Sequence, residues 1–231
     1  VTRWSVVRTA GQDSSPDAKA ALAQLCSVYW FPLYAYVRHQ GHSVHDAQDL
    51  TQGFFAAFLA GDYLGGLAPE KGKFRAFLLA CLKHFLSNQR DRERALKRGG
   101  DQVPVSWDAM DAEQRLAHQP RHDLAPDRLY EREWALTLLD HVLMRLEEEM
   151  VRGGKKRQFE CLKGCLAINR ESLPYAEVAE QLEVSEGAVK VAVHRLRRRY
   201  RRMLREEIAH TVMAPDMVDD ELQALFAALQ A

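Results

Sequence analysis

No apolar run in this sequence comes near the roughly 18 residues that a membrane-spanning helix needs; the longest relevant one is Phe77 to Leu82. No membrane association is expected, and the first residues do not resemble a secretory signal. Cysteine is scarce, with four among 231 residues, which excludes a disulfide scaffold. Cys161 and Cys165 have helical rather than zinc-knuckle spacing, so all four, with Cys26 and Cys81, are expected to be buried thiols of a reducing cytoplasm. Net charge is absent as well: 32 Lys and Arg balance 32 Asp and Glu, which argues against a uniformly basic nucleic-acid coat. Sustained strand-like alternation is missing, and so is any internal repeat. There is no phosphate-binding glycine loop, no HExxH pair and no nucleophile motif, so an enzyme is not expected, nor any cofactor or metal. His39, His42 and His45 are metal-ligand types, but their spacing across a loop and a helix start reads as surface histidines.

What the chain does have is sorted charge on a globular background of 47% hydrophobic residues. Lys190 to Arg205 carries eight Lys and Arg and no carboxylate, while Glu206 to Ala231 carries six carboxylates and no Lys or Arg. A second basic run, Lys83 to Arg98, precedes an acidic segment from Asp101 to Glu133. The stretch from Leu173 to Arg205 is the most informative. Pro174 suits a helical first turn, and Tyr175, Val178, Ala179 and Leu182 form an apolar stripe. After the break at Glu183, Val184 and Ser185, Ser185 is an N-cap for a longer helix. At about 100° per residue, Ala188, Val189, Ala192, Val193, Leu196, Tyr200 and Met203 fall on one side of it, and a cationic face falls opposite. This is the pattern of a helix-turn-helix. Such motifs enter the major groove by the start of their second helix, so Glu186, Lys190, Val191 and His194 are expected at base edges. Arg195, Arg197 and Arg198, with Arg201 beyond them, are placed for phosphates. The alternative is a solvated basic helix with no nucleic-acid role.

Three helical patterns occupy the first hundred residues. One runs from about Asp17 to Gln40, broken near Pro32, with Tyr29, Trp30, Phe31, Tyr34 and Tyr36 as core. The next is capped by Ser43 with Asp46; Val44, Ala47, Leu50, Phe54, Phe55, Phe58 and Leu59 share one side and Asp46, Asp49 and Gly53 the other. A glycine-rich loop, Gly61 to Gly72, leads to a third helix from about Lys73. Phe74, Phe77, Leu78, Cys81, Leu82, Phe85 and Leu86 are its buried stripe, and Lys83, His84, Ser87, Arg90 and Arg94 point outward. Gly99, Gly100, Pro104, Pro120 and Pro126 mark a linker. Helices resume near Arg128, with Trp134, Leu138, Leu139, Val142, Leu143 and Leu146 as a stripe. The expected fold is all-α: two helical domains joined by a flexible linker, the second a helix-turn-helix.

Asp46 to Leu59 (DAQDLTQGFFAAFL), Lys73 to Arg98 (KFRAFLLACLKHFLSNQRDRERALKR) and Tyr175 to Arg199 (YAEVAEQLEVSEGAVKVAVHRLRRR) together resemble the extracytoplasmic-function (ECF) group of bacterial RNA polymerase sigma factors in the sigma-70 superfamily. The resemblance implies five segments: an extension (1–16), a sigma-2-like domain for core polymerase and the minus-10 element (17–98), a linker (99–127), a sigma-4-like helix-turn-helix for the minus-35 element (128–205) and an acidic extension (206–231). It implies promoter DNA and the clamp and flap regions of core RNA polymerase as partners, and a cytoplasmic protein. Asp46, Asp49, Leu50, Gln52 and Gly53 correspond to the polymerase-binding helix. Lys83, His84, Ser87, Asn88, Arg90, Arg92 and Arg94 correspond to the minus-10 helix, and the 61–72 loop to a pocket for a flipped base. Rings and cations there suit unstacked bases and a phosphate backbone.

Several residues depart from the family pattern. Ala192 stands where Arg is frequent, and Glu183 where a turn glycine is common, which costs backbone strain. Gly53 replaces a frequent acidic residue and Thr51 a hydrophobic one. That pairing resembles groups answering to a Ser/Thr kinase rather than an anti-sigma factor, because a phosphate on Thr51 would restore negative charge beside Asp46 and Asp49. The helical wheel opposes this, placing Thr51 in the apolar stripe as a buried hydroxyl bonded to a carbonyl. The acidic tail, with Asp219, Asp220, Leu222, Leu225, Phe226 and Leu229, suggests an amphipathic helix that either packs structurally or competes with DNA for the basic helix. A stand-alone helix-turn-helix regulator, binding duplex DNA without polymerase, is the alternative function.

Overall fold

A computed structural model describes residues 16–60, 73–95, 109–117, 124–166 and 175–230. The 1–15 extension, the 61–72 loop and Leu173 with Pro174 lie outside the described residues, as do the side chains of Cys26, Arg92 and Arg94. The protein is all-α. The described helices are α1 (Pro16–His39), α2 (Val44–Leu59), α3 (Phe74–Ala95), α4 (Ala109–Ala117), α5 (Pro126–Arg152), α6 (Lys156–Leu162), α7 (Tyr175–Leu182), α8 (Glu186–Ala209) and α9 (Val218–Gln230). Short 3-10 turns lie at Lys163–Leu166 and Pro215–Met217, and no strand occurs among the described residues. None of these helices is long and apolar enough to cross a membrane.

The chain forms two compact units, one of residues 1–138 with 208–231 and the other of residues 139–207. The first is built on aromatic packing. Tyr29, Trp30, Phe31, Tyr34 and Tyr36 are all buried, and their rings reach neighbouring helices: Tyr29 meets Phe74 edge-on at 5.2 Å, while Phe54 of α2 meets Phe85 of α3 at 5.8 Å. Contacts of this kind contribute about 0.5–1.5 kcal/mol each beyond area burial. α1 runs unbroken through Pro32, contrary to the expected break. Proline removes one intrahelical donor, but burial of residues 28–37 on nearly every side holds the helix through that defect. Ser43 caps α2 as expected, its hydroxyl accepting from the Asp46 amide at 3.1 Å and donating to the Asp46 carboxylate at 2.7 Å.

The division does not fall at the linker expected over 99–127. Part of that segment is α4, and Glu113 docks it on α1: its carboxylate accepts from Arg38 at 2.7 and 3.1 Å and from the Tyr34 hydroxyl at 2.6 Å. The Arg38 hydrogen bond holds the Glu113 carboxyl below its ordinary range. The first turns of α5 also belong to this unit, and so does α9, so the tail is a packed element.

One ion cluster ties these pieces together. Arg75, buried at the start of α3, donates to Glu221 of α9 at 2.7 Å and to Glu131 of α5 at 2.8 Å. Its guanidinium stacks 4.5 Å above the Trp134 ring. Lys73 reaches Glu221 at 2.8 Å, the Arg75 carbonyl accepts from Tyr130 at 2.9 Å, and the Phe74 amide donates to the Thr211 carbonyl at 3.1 Å. Burial opposes the Arg75 charge, yet Glu221 and then Glu131 outweigh it and hold the guanidinium above its ordinary value. The buried stripe of α9 is Val218, Glu221, Leu225 and Ala228, with Phe226 outside at 43% exposure. Losing one partner of a buried pair leaves the other charge uncompensated. Glu221→Ala is expected to destabilise this unit by about 3–5 kcal/mol in urea unfolding followed by tryptophan fluorescence; a loss below about 1 kcal/mol would show that the cluster is dispensable.

Candidate nucleic-acid interface

The second unit packs around Val142, Leu146, Phe159, Leu162, Val178, Val189, Val193 and Leu196, all buried. These come from the end of α5, α6, α7 and α8, so the helix-turn-helix rests on a platform of earlier helices. Tyr200 donates to the Leu139 carbonyl at 3.1 Å, and burial pushes its hydroxyl up to about 12. Arg145 reaches Glu207 at 2.6 Å, and Arg199 pairs with Glu149.

The turn is tightly specified. Glu183 takes φ +55°, the left-handed region. Its amide bonds the Glu180 carbonyl at 3.1 Å, and the Val184 amide bonds the Ala179 carbonyl at 3.0 Å. This pair of reversed bonds satisfies the last carbonyls of α7 and is the helix ending that normally takes glycine. A residue with a Cβ is strained there, as the missing turn glycine implied. Ser185 then starts α8, its hydroxyl accepting from the Ala188 amide at 3.2 Å, a cap of about 1 kcal/mol.

On α8, Val189, Val193, Leu196 and Met203 face inward, whereas Glu186, Lys190, Val191, His194, Arg195, Arg198 and Arg201 are exposed. Ala188, expected on the packed side, is exposed, whereas Val189 beside it is fully buried. Val191 is 49% exposed between Lys190 and His194, an apolar contact of the kind that reads a thymine methyl. Lys190 and Glu186 approach only to 3.9 Å, and a bond that long leaves both groups available. Among the described residues Arg195, Arg198 and Arg201 have no hydrogen-bond or ion-pair partner.

Arg197 differs from its neighbours. Its guanidinium is half-buried and donates twice to the Cys165 carbonyl, at 2.9 and 2.7 Å. It pins the 3-10 turn to α8, so at least two of its donors serve packing rather than phosphate. Arg157 does the same for α7, donating to the Gln181 carbonyl at 2.6 Å. Tyr175, Lys190, Val193, His194, Arg197, Arg198 and Arg201 line a groove of about 660 Å³. Tyr175 was not among the expected contacts. Arg201 was expected beside Arg195, Arg197 and Arg198, since 190, 194, 197, 198 and 201 form one helical stripe; Tyr175 read simply as core.

In the other unit, Lys83, His84, Ser87, Asn88 and Arg90 are all exposed on α3. Asn88 and His84 side chains stand 3.4 Å apart. Lys83 pairs with Asp127 at 2.8 Å, which holds its ammonium above the ordinary value, and Arg90 donates to Gln40 at 2.9 Å. On α2, Asp46 and Asp49 are exposed and Leu50, Gln52 and Gly53 half-buried. Thr51 is fully buried and donates to the Ala47 carbonyl at 2.7 Å. Burial pushes the Cys81 thiol up to about 12 and raises that of Cys165, so both are poor nucleophiles, and Cys161 is half-buried. No cluster of metal-ligating side chains occurs among the described residues.

Glycine at 183 would relieve the left-handed strain while keeping both reversed hydrogen bonds. Glu183→Gly is expected to stabilise the second unit by about 0.5–1 kcal/mol, seen as a higher Tm. A lower Tm would show that the Glu183 side chain makes a compensating contact.

No curated protein and no solved structure gives a significant match to the chain. A family model described as sigma-70, region 4, matches residues 167–199, the segment that holds the turn, the capped start of α8 and its exposed cations. Over those residues the chain is similar to sigma-70 region 4.

Proposed function

We propose that the chain is a sigma factor of the ECF type, binding core RNA polymerase and directing promoter recognition and initiation. The observation that carries this reading is the exposed face of α8, which lies within the region-4 match and presents Lys190, Val191, His194, Arg195 and Arg198 from an N-capped helix. In this reading α8 takes duplex minus-35 DNA, its first two turns meeting base edges and its arginines phosphates. The exposed face of α3 takes the melted minus-10 strand. The acidic ridge of α2, Asp46 and Asp49 flanked by Leu50, Gln52 and Gly53, docks on the polymerase clamp, and the α8 unit on the flap. Single-stranded bases and duplex major groove are different ligands, and two differently built cationic faces in one chain suit a promoter better than a palindromic operator.

Regulation by a Ser/Thr kinase at Thr51 or by an anti-sigma factor belongs to the same reading. The geometry favours a packing role for Thr51: its hydroxyl is enclosed and already donates to Ala47, so a phosphate requires α2 to open locally. A packing role predicts that Thr51→Ala keeps polymerase-dependent initiation within about twofold, and that Thr51→Glu lowers it through lost stability. A kinase switch predicts the reverse order under inducing conditions.

The central test is transcription in vitro with purified core polymerase. Initiation at a defined promoter, lost when polymerase or this chain is omitted, is the expected result; tight binding to a palindromic duplex without polymerase would favour a stand-alone regulator. Lys190→Ala is expected to weaken promoter binding about 5- to 150-fold and to relax preference at one position. Arg198→Ala is expected to weaken all sequences alike and to lower the slope of log affinity against log salt by about one.

A further inference from the structure

We propose that the first turn of α5 is an intrachain cover on the single-strand-binding face of α3, with Asp127 competing against nucleic acid for Lys83. The inference rests on the reading of α3 as the minus-10 helix. Within the first unit, the last turn of α1, the exposed face of α3 and the start of α5 meet along one edge. Asp127 reaches the Lys83 ammonium at 2.8 Å, and that ammonium also lies 5.9 Å from the centre of the Tyr36 ring. The Tyr36 ring is buried, so what this edge offers a single strand is the exposed ammonium, which suits a backbone phosphate. Here a carboxylate holds the phosphate's place.

The segment is anchored firmly at one end and closed loosely at the other. Tyr130 and Glu131 root it through buried or half-buried bonds to Arg75 at 2.9 and 2.8 Å. One turn earlier, its contacts are exposed: the Lys83 and Asp127 side chains are 43% and 59% accessible, and the His39 ring nitrogen meets the Leu124 carbonyl at 2.9 Å in solvent. Exposed pairs are weak and salt-screened, so residues 124–127 can lift while Tyr130 and Glu131 stay in place. The cover therefore lowers affinity for stray single strands without blocking a strand delivered and held by polymerase.

The test is anisotropy of a labelled single-stranded oligodeoxynucleotide with the full chain at low salt, without polymerase. All variants carry Lys190→Ala and Arg198→Ala to suppress binding by α8. Asp127→Asn is expected to tighten binding about two- to fivefold, the range of an exposed ion pair. Asp220→Asn removes the same charge from an exposed site in the same unit and is expected to give less than half of that gain. Lys83→Ala is expected to weaken binding more in the Asp127→Asn background than without it. Equal effects of Asp127→Asn and Asp220→Asn, with Lys83→Ala still weakening binding, would overturn the cover and leave the minus-10 reading intact. If Lys83→Ala changes nothing in either background, the assignment of Lys83 to nucleic acid fails, and the cover with it.

Discussion

The first unit depends on a single guanidinium having somewhere to put its charge. Arg75 is buried, and burial of a cation is costly unless opposite charge and hydrogen bonds accompany it. Glu221 supplies two oxygens, Glu131 one, and the Trp134 ring a face. Because those groups come from α9 and α5, satisfying Arg75 fixes where both helices must lie against α3. Hydrophobic packing alone tolerates sliding; a guanidinium with three directed partners does not. The exposed face of α3 inherits this precision, since Lys83 and Arg90 continue the same helix.

The second unit solves an opposite problem, keeping cations exposed while crowding them on one helix. Like charges along α8 repel, and the chain separates them by function. Arg197 and Arg199 turn inward to a carbonyl and to Glu149, while Arg202 is screened by Glu206 at 3.6 Å. Arg195, Arg198 and Arg201 keep the outward face. The helix is thus a packing element and an exposed cationic surface at once, with adjacent arginines turned to different surroundings by about 100° of rotation.

Period and capping made much of this legible. The apolar stripe of α8, the Ser185 cap and the Ser43 cap followed from residue type and spacing, and the left-handed turn was foreshadowed by Glu183 standing where glycine is common. What stayed hidden required tertiary information. Pro32 reads as a break because proline propensity is local, whereas the packing that carries α1 through it is not. Arg75 and Glu221 lie 146 residues apart, and no sequence period links them. Glu221 looked like one more acid of a polar tail, and Arg197 looked like its neighbours until a carbonyl partner was visible. The segment over 99–127 read as linker because glycine and proline dominate its ends, yet Glu113 has a specific address on α1.

The place of α9 also bears on the order in which the chain acquires structure during synthesis. Domains usually fold as they emerge, the earlier ones first. Here the unit that opens the sequence lacks Glu221, one of the two carboxylates that meet Arg75, until residues 208–230 have left the ribosome, by which time all of 139–207 has been made. The later segment can therefore mature before the earlier one. Closing so long a loop is entropically slow, and until it closes, Arg75 has Glu131 as its carboxylate partner but not Glu221.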